Sequence, residues 1–338
     1  MSGTLLGTDQ PIVAAPMAGG PTTIALVEAV AGAGAFPFLA AGYKSAAAVG
    51  ADIDAARALD RPFGVNVFVP SRSAIDPAAF RAYAEQIAGE AEVLGATLDP
   101  VPRAGDDDWD AKIALLIEDP VPVVSFTFGL PSAAELAALR RAGSVILGSV
   151  TTADEARRAD EIGVDALVVQ GPDGGGHSAT FDPARRIEPI ALTDLVAQVR
   201  SAVDLPLIAG GGVDGPAAVR SLLAAGAIAV AVGTVLLRTD EAGTSPTHRA
   251  ALVDPRFERT VITRAFTGRP ARGLANGFIE RHEDQAPLGY PEIHHLTRPM
   301  RQAAAKVGDP DRLHLWAGTG YRTAPTGPAA EVVRMLAG

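Results

Sequence analysis

Short apolar runs alternate with alanine-rich amphipathic segments along most of this chain. Apolar runs that predict strands cover residues 11–17, 36–39, 63–69, 121–126, 144–148, 165–170, 205–209 and 227–232. Helical periodicity is clearest between them, over residues 22–32, 45–59, 77–94, 152–162, 195–202 and 216–225. Parallel strands need crossover helices and are buried on both faces, so they form continuous apolar runs. Eight such units without a linker predict an α/β fold, a closed (β/α)8 TIM barrel.

The alternating pattern ends near residue 255. Arginine-rich turns, a proline-flanked loop and two predicted helices follow, at residues 268–273, 286–291, 298–307 and 329–336. We therefore expect a barrel from residues 1–254 and a C-terminal, mostly helical cap from residues 255–338, packed on the barrel mouth. A cap of this kind limits water and selects substrate. Tyr290, His294 and His295 are candidates to line the site beneath it.

Glycines follow the last two predicted strands. Gly210-Gly211-Gly212 comes after the seventh strand, and Gly233-Thr234 comes after the eighth. These are the two loops that commonly bind phosphate in such barrels, through backbone N–H groups and a hydroxyl at a helix N-terminus. The pattern predicts a phosphate site, although the glycines would also allow tight turns with no ligand.

The sixth predicted strand opens into a glycine-rich loop that ends in a histidine. Gln170-Gly171 closes the strand, and Gly174, Gly175 and Gly176 precede His177. Glycines without Cβ atoms let a flat ring approach the backbone closely. His177 is then the candidate catalytic residue, the alternative being a surface turn with an incidental histidine.

Three further side chains fall at predicted strand ends, namely Met17, Asn66 and Gln170. A single Met or Asn at such a place more often packs or caps. Together they indicate a binding site for a ligand with a planar heteroaromatic ring and a phosphate group.

Composition narrows the class of protein. The 338 residues carry 29 basic and 39 acidic side chains, a formal charge of −10, which argues against a nucleic-acid partner. No signal-peptide pattern and no apolar run of membrane-spanning length occur, so we expect no membrane partner and a cytoplasmic location.

The chain has no cysteine and six histidines. The absence of cysteine excludes disulfides, thiolate metal sites, iron–sulfur clusters and a cysteine nucleophile. The closest histidines, His282, His294 and His295, lack the helical spacing of a metal pair, and we expect no metal site.

Several segments together resemble the motifs of the nitronate monooxygenases, formerly called 2-nitropropane dioxygenases. They are Pro11 to Gly20, Gly64 to Asn66, Ser125 to Pro131, Val169 to His177, Ala209 to Gly215 and Phe266 to Gly273. The resemblance implies a flavoprotein oxidoreductase with FMN in the barrel. It also implies the family's reaction, in which O2 oxidises an alkyl nitronate to a carbonyl compound and nitrite.

The same resemblance implies roles for individual residues. His177 matches the catalytic histidine, which takes a proton from a neutral nitroalkane or orients a preformed nitronate. Pro16 and Met17 would lie near the flavin ring, and Asn66 and Gln170 would bind its polar edge. The full cofactor-binding set is Ala15, Pro16, Met17, Asn66, Gln170, Gly171, Gly175, Gly176, Gly210, Gly211, Gly212, Gly233 and Thr234. Gly211, Gly212, Gly233 and Thr234 would hold the phosphate.

This chain departs from the family pattern at three places. Pro172-Asp-Gly-Gly-Gly-His stands where many relatives have Glu-Ala-Gly-Gly-His, and a glutamine common before the phosphate loop is Ala231 here. Near the C-terminus, Thr319 stands where a glutamine is frequent, in a segment from Trp316 to Gly320 that approaches the flavin in relatives. The Ala231 replacement leaves some flavin or phosphate bonding to other groups.

Two other functions remain open on the sequence. One is an NAD(P)H-dependent FMN reductase of an enoyl thioester or quinone, similar to enoyl-acyl-carrier-protein reductases, in which His177 supplies a proton. The other is a flavin-binding barrel without turnover. Nucleotide-oxidising barrels are excluded because they need a cysteine.

For partners we expect a small nitronate or nitroalkane and O2, with a monomer or homodimer as the assembly. Three basic residues beyond the barrel, Arg264, Arg269 and Arg272, could meet an anionic substrate. The sequence favours solvated positions or ion pairs for them.

Overall fold

The computed structural model describes residues 5–71 and 75–338 and contains a closed barrel of eight parallel strands. The barrel strands are β1 Ile12–Ala14, β2 Phe36–Ala40, β3 Gly64–Phe68, β4 Val123–Thr127, β5 Val145–Val150, β6 Ala166–Gln170, β8 Leu207–Gly210 and β9 Ala229–Val232. β1 closes the barrel by pairing with β9, Val13 opposite Ala231. The predicted (β/α)8 TIM barrel is confirmed, with each predicted barrel strand present.

Helices surround the barrel as the pattern of the sequence predicts. They are α1 Ile24–Gly32, α2 Ala46–Arg57, α4 Trp109–Glu118, α5 Ala133–Ala142, α6 Ala153–Ile162, α7 Leu192–Ala202 and α8 Pro216–Ala224. Helix α5 is additional to the predicted helices, although its start carries a recognisable signal. Ser132 and Glu135 form a capping box there, which satisfies two backbone N–H groups of the first turn.

The last position in the ring of barrel helices is taken by the C-terminal helix α12, Ala329–Ala337. It packs against α1 and α8, and its Val332, Val333 and Leu336 join the barrel core. The predicted boundary after residue 254 marks the end of the alternating sequence pattern. It does not divide the structure, because α12 packs on the barrel.

Over the barrel mouth lies a second apolar core. It combines α3 Pro77–Val93 and α10 Gly277–His282 with α11 Glu292–Val307. Its large members include Phe80, Tyr83 and Ile87 of α3 and Phe266, Phe278 and Met300 of the C-terminal region. The Tyr83 hydroxyl donates to the Ala265 carbonyl over 2.6 Å. The chain between β3 and α4 thus contributes to the cap, a role that the sequence did not indicate.

Helix α11 begins at Glu292, six residues before the predicted start at Arg298. Proline is frequent in a first helical turn, where its missing N–H breaks no hydrogen bond. In the structure Pro299 lies inside the helix. The extra turns carry His294 over the barrel mouth, which matters for the site.

The cap also contains a small antiparallel sheet of β10 Thr260–Thr263, β11 Ala271–Leu274 and β7 Gly176–His177. The short strand β7 belongs to the loop after β6, and His177 pairs with Ala271. A further short helix, α9 Pro246–Ala251, follows the barrel's last strand. Among the helices of the described ranges, none is both long and apolar enough to cross a membrane.

Candidate active site

A cavity of about 480 Å³ opens at the carboxyl ends of the barrel strands. It is lined by His177 and by nearly all the residues that the sequence singled out for a cofactor. These are Ala15, Pro16, Met17, Asn66, Gln170, Gly175, Gly176, Gly210, Gly211, Gly212, Gly233 and Thr234. Gly171 faces a smaller neighbouring cavity behind the histidine loop. Residues far apart in sequence therefore meet at the one place where such barrels do chemistry.

The loop that carries His177 is held at both ends. Gln170 Nε2 donates to the His177 carbonyl over 3.1 Å, and the Ala179 N–H donates to Gln170 Oε1 over 2.7 Å. The Ser178 N–H donates to the Pro270 carbonyl over 2.8 Å. Gln170 thus supports the loop itself, and one N–H and one lone pair of its amide stay available for a ligand.

His177 is half-buried among aromatic rings. Its ring centroid lies 5.6 Å from that of Phe128, 5.5 Å from that of Tyr290 and 5.7 Å from that of Trp316. Burial lowers the pKa of His177 to about 3, and the positive charges of Arg269 and Arg301 lower it further. The imidazole is therefore neutral at neutral pH.

A threonine contacts one ring nitrogen of His177, and the proton of its hydroxyl group is linked to the tautomer of the ring. Thr267 Oγ1 lies 2.9 Å from His177 Nε2 and 3.2 Å from the carbonyl oxygen of Arg269. A hydroxyl has one proton to donate. If Arg269 accepts it, Nε2 keeps the ring proton and Nδ1 is an acceptor. If His177 accepts it, Nδ1 carries the ring proton and is a donor. The two roles foreseen for the histidine, base or orienting donor, correspond to these two tautomers.

Asn66 lies at the base of the cavity and is almost fully buried. The hydroxyls of Ser125 and Thr127 both donate to its Oδ1, over 2.8 and 2.9 Å. This pattern fixes the amide orientation, so its N–H groups are left to donate to a ligand.

The glycine loops after β8 and β9 present backbone donors to the cavity. Gly211 and Gly212 have φ values of +124° and +73°, which favour glycine. Within the described ranges, the N–H groups of Gly212 and Thr234 donate no hydrogen bond. The Thr234 hydroxyl accepts from the Gly318 N–H over 2.9 Å and keeps its own proton to donate. This donor set suits an anion such as phosphate.

The comparisons with known proteins agree with this geometry. A family model described as nitronate monooxygenase matches residues 4–338. The chain belongs to the nitronate monooxygenase family. A probable nitronate monooxygenase of Staphylococcus aureus strain Newman is 34% identical over 345 residues, covering 97% of this chain and 94% of that protein. The resemblance stated from the sequence motifs is confirmed, and the chain is an oxidoreductase.

Two solved structures are also similar to this chain. Nitroalkane oxidase from Streptomyces ansochromogenes is 48% identical with a TM-score of 0.94, covering 98% of this chain and 95% of that one. FabK from Thermotoga maritima has a TM-score of 0.75 at 24% identity, covering 99% and 94%, and shares the fold. Membership in the nitronate monooxygenase family supports oxidation of nitro compounds as the reaction class.

Aromatic side chains form one wall of the cavity, and the sequence analysis did not predict this aromatic wall. Tyr43 and Phe128 follow barrel strands β2 and β4 and have left-handed backbones, with φ of 68° and 80°. Bulky residues rarely adopt this conformation, and such strain clusters at functional sites. Phe128 packs on Phe68, and Tyr43 stacks on His294 with ring centroids 4.2 Å apart. No pattern in the sequence signals a left-handed aromatic residue.

Arg269 was expected at a solvated position or in an ion pair, and this expectation is wrong. It is 2% exposed, its Cζ lies 3.9 Å from the Phe128 ring centroid, and it donates to the Thr180 carbonyl. Packing of the cap buries it, and burial lowers its pKa to about 10. Arg264 does pair with Glu283 at 3.9 Å, and Arg272 is half-buried, donating to the Pro172 carbonyl.

His282, His294 and His295, the histidines closest in sequence, have different surroundings in the structure. His294 lines the cavity, whereas His282 contacts Glu90 over 2.9 Å on the outer side of the cap. His295 packs against His294 and does not line the cavity. Across the described ranges, no group of three or more His, Asp or Glu side chains is arranged to hold a metal.

Two adjacent glycines of the histidine loop should respond differently to substitution. A Cβ on Gly175 would lie 2.5 Å from Gly318 N, whereas one on Gly176 would meet nothing within 4 Å. Gly175→Ala should therefore push the loop off the Gly318 backbone and destabilise the protein by about 2–3 kcal/mol. Gly176→Ala should cost only about 1–2 kcal/mol for its left-handed φ of +76°.

Urea unfolding monitored by fluorescence measures both costs. The Trp316 ring lies beside His177, so its emission also reports a displaced loop in the folded protein. Equal costs and unchanged emission in both variants would contradict the packing role assigned to Gly175.

Proposed function

We propose that this protein oxidises alkyl nitronates with O2 to carbonyl compounds and nitrite, with FMN as its cofactor. One observation carries the proposal. The described residues that line the cavity include Arg298 and Arg301 but no aspartate or glutamate, in a chain of net charge −10. A cavity of this charge attracts anions. Nitronates and the FMN phosphate are both anionic.

The residues present fit FMN. Gly212 and Thr234 offer backbone N–H groups and a hydroxyl to a phosphate, as described above. The free N–H groups of Asn66 suit the polar atoms of a flavin ring, and Gln170 has a donor and an acceptor to spare. Pro16 and Met17 provide an apolar surface at the same cavity. Bound FMN would supply the redox chemistry, taking an electron from the nitronate and passing one to O2.

His177 would orient the nitronate. With the Thr267 proton donated to Nε2, the ring proton is on Nδ1, which has no hydrogen-bond partner in the described chain. That N–H can donate to a nitronate oxygen. The lowered pKa of His177 opposes its use as a base, because a weak base takes a proton from a carbon acid inefficiently. The site therefore favours preformed nitronates over neutral nitroalkanes.

Arg301 would provide the positive charge near the nitronate. Its guanidinium is 5% exposed, donates to the His294 carbonyl over 2.9 Å and to Thr297 Oγ1 over 3.0 Å, and forms no ion pair with the described carboxylates. A buried charge without a carboxylate is costly unless a ligand anion balances it. The fold keeps such a charge beside His177.

Removing that charge should weaken substrate binding. Arg301→Met should raise KM for propionate 3-nitronate about tenfold with a smaller change in kcat, the effect of one charged interaction. Arg301→Lys is the matched control, since it keeps the charge and loses the guanidinium hydrogen bonds. Steady-state kinetics on both variants measure the effect. A KM for Arg301→Lys as high as that for Arg301→Met would assign the loss to packing.

Anaerobic mixing tests the function as a whole. FMN-loaded protein is mixed with propionate 3-nitronate, and separately with NADH and NADPH, while flavin absorbance is followed. We expect bleaching by the nitronate alone and release of nitrite when air is admitted. Rapid bleaching by NADH or NADPH with no response to nitronate would make the protein a reductase. No response to any of them would favour a binding protein without turnover.

A further inference from the structure

Thr244 and His248 each bring a buried polar atom without a hydrogen-bond partner among the described residues to the lining of the cavity. Thr244 is 7% exposed and His248 is 8% exposed, and both line the same cavity as His177. Within the described ranges, neither Thr244 Oγ1 nor His248 Nε2 makes a hydrogen bond. Buried polar groups are nearly always paired, so an unpaired neighbouring set indicates a ligand.

Local structure fixes both side chains at this position. Ser245 caps helix α9 and accepts from the His248 N–H over 3.3 Å, which sets His248 on the first turn and Thr244 just before it. Met17, Leu237 and Leu313 also line the cavity. The cavity therefore offers a ligand apolar surface as well as the two polar atoms.

The protonation state of His248 defines what the ligand must offer. Burial lowers the pKa of His248 to about 4, opposed by a hydrogen bond to the Trp316 backbone. A backbone group that raises the pKa of a histidine is an accepting carbonyl, so the other ring nitrogen, Nδ1, carries the proton. His248 Nε2 is then an acceptor only, and the Thr244 hydroxyl is free to donate.

We propose that Thr244 and His248 form a second ligand subsite, which binds a neutral carboxamide group. An amide N–H would donate to His248 Nε2, and the amide carbonyl would accept from Thr244. A carboxylate has no proton to donate to the histidine. This subsite goes beyond nitronate oxidation. Its ligand is the nicotinamide of a reduced pyridine nucleotide or an amide of an acyl-pantetheine thioester, since both carry this chemistry.

Calorimetric titration of the FMN-loaded protein tests the subsite without any reaction. Nicotinamide is compared with nicotinate, which has the same ring and a carboxylate instead of the amide. We expect nicotinamide to bind the wild type and Thr244→Val to weaken its binding about tenfold, the effect of losing one buried hydrogen bond. Nicotinate binding should not change in Thr244→Val.

Thr247→Val is the matched control. Thr247 lies on the same helix, donates to the Ala305 carbonyl over 3.1 Å and does not line the cavity, so its removal should leave nicotinamide binding unchanged. His248→Phe removes the acceptor at similar size and should weaken nicotinamide binding as Thr244→Val does.

Three outcomes would overturn the subsite. They are equal sensitivity of nicotinamide and nicotinate to Thr244→Val, unchanged nicotinamide binding in both site variants, and loss of FMN from Thr244→Val. The last would assign the hydroxyl to the cofactor. Titration with NADH and with pantetheine identifies the source. Thr244-dependent binding of either supports the subsite, and binding of neither overturns it. Because no nitronate is present, the result is independent of the proposed oxidation.

Discussion

Replacing His177 with alanine should lower kcat/KM for propionate 3-nitronate by about 10- to 100-fold, the effect of losing one hydrogen bond to a charged group. His177→Asn should recover most of this loss, because the asparagine amide keeps an N–H donor. The expectation rests on the Nδ1–H tautomer, the one in which Thr267 Oγ1, 2.9 Å from Nε2, donates its proton to that nitrogen.

The same variants separate the orienting role from the base role. A general base typically contributes about 10²- to 10⁴-fold, and asparagine cannot act as one. If His177 removes a proton, His177→Asn will be as inactive as His177→Ala on neutral nitroethane. With an orienting histidine, the wild type itself should be slow on nitroethane and fast on preformed ethyl nitronate. Initial rates of oxygen consumption with each substrate measure the difference. Each substrate is added immediately before the assay, so that nitroethane and ethyl nitronate have no time to interconvert.

The pH profile gives a second test of the histidine. Its pKa of about 3 keeps it neutral at every pH from 5 to 8. We therefore expect kcat/KM for the nitronate form to show no inflection from His177 in this range. An inflection near pH 6.5 that disappears in His177→Asn would mean that the imidazole titrates as it does in solution and carries the base role.

Lowering the pH from 7 to 5 should remove several kcal/mol from the free energy of unfolding. Burial is the first cause of a lowered pKa at four cavity histidines, with values of about 3 for His177 and about 4 for His248. The pKa values of His294 and His314 are also well below the usual range, because burial is reinforced by Arg301. The folded protein keeps all four neutral, whereas the unfolded chain protonates them below pH 6.5.

The sign follows from linkage. A histidine with a lowered pKa in the folded state contributes stability that is present above pH 6.5 and is lost as the pH falls toward the folded value. At pH 5 the lowered pKa values of His177 and His248 account for about 2 kcal/mol each. The lowered pKa values of His294 and His314 act in the same direction. Together these contributions are a large part of the stability of an average domain.

Urea unfolding at pH 7, 6 and 5 measures the effect. Between pH 6 and 5 the slope should correspond to the uptake of at least about two protons on unfolding, one each for His177 and His248, with His294 and His314 adding to it. His248→Phe should reduce the slope by about one proton. A slope of one proton or less would show that the buried histidines titrate normally.

The glycine loops and strand ends could be predicted because their signals are local. Gly210 to Gly212 and Gly233-Thr234 follow apolar runs, and parallel strands in a barrel bring their carboxyl ends to one face. His177 was found for the same reason, from its position after β6. The hydrogen-bond partners of these residues could not be predicted. Gln170 supports the loop of His177, a contact that depends on how the loop folds back.

The charges and strained residues of the site could not be predicted. Arg269 and Arg301 look like surface residues in sequence, since arginine is rarely buried without a partner. They are buried because α3, inserted after β3, packs with α11 and the β10–β11 hairpin over the barrel mouth. Thr244 and His248 likewise become unpaired only when α9 seats them against the cavity.

The sequence alone therefore determined the barrel, the face that carries the chemistry, the glycine cradle and His177, because each depends on periodicity or on the order of elements along the chain. Tertiary structure alone decided the charge of the cavity, the contact of Thr267 with His177 and the aromatic wall of Tyr43 and Phe128. Those properties arise from burial and from contacts between distant segments. Burial changes the free energy of a charge or an unpaired polar atom by several kcal/mol, and no local pattern of residues records it.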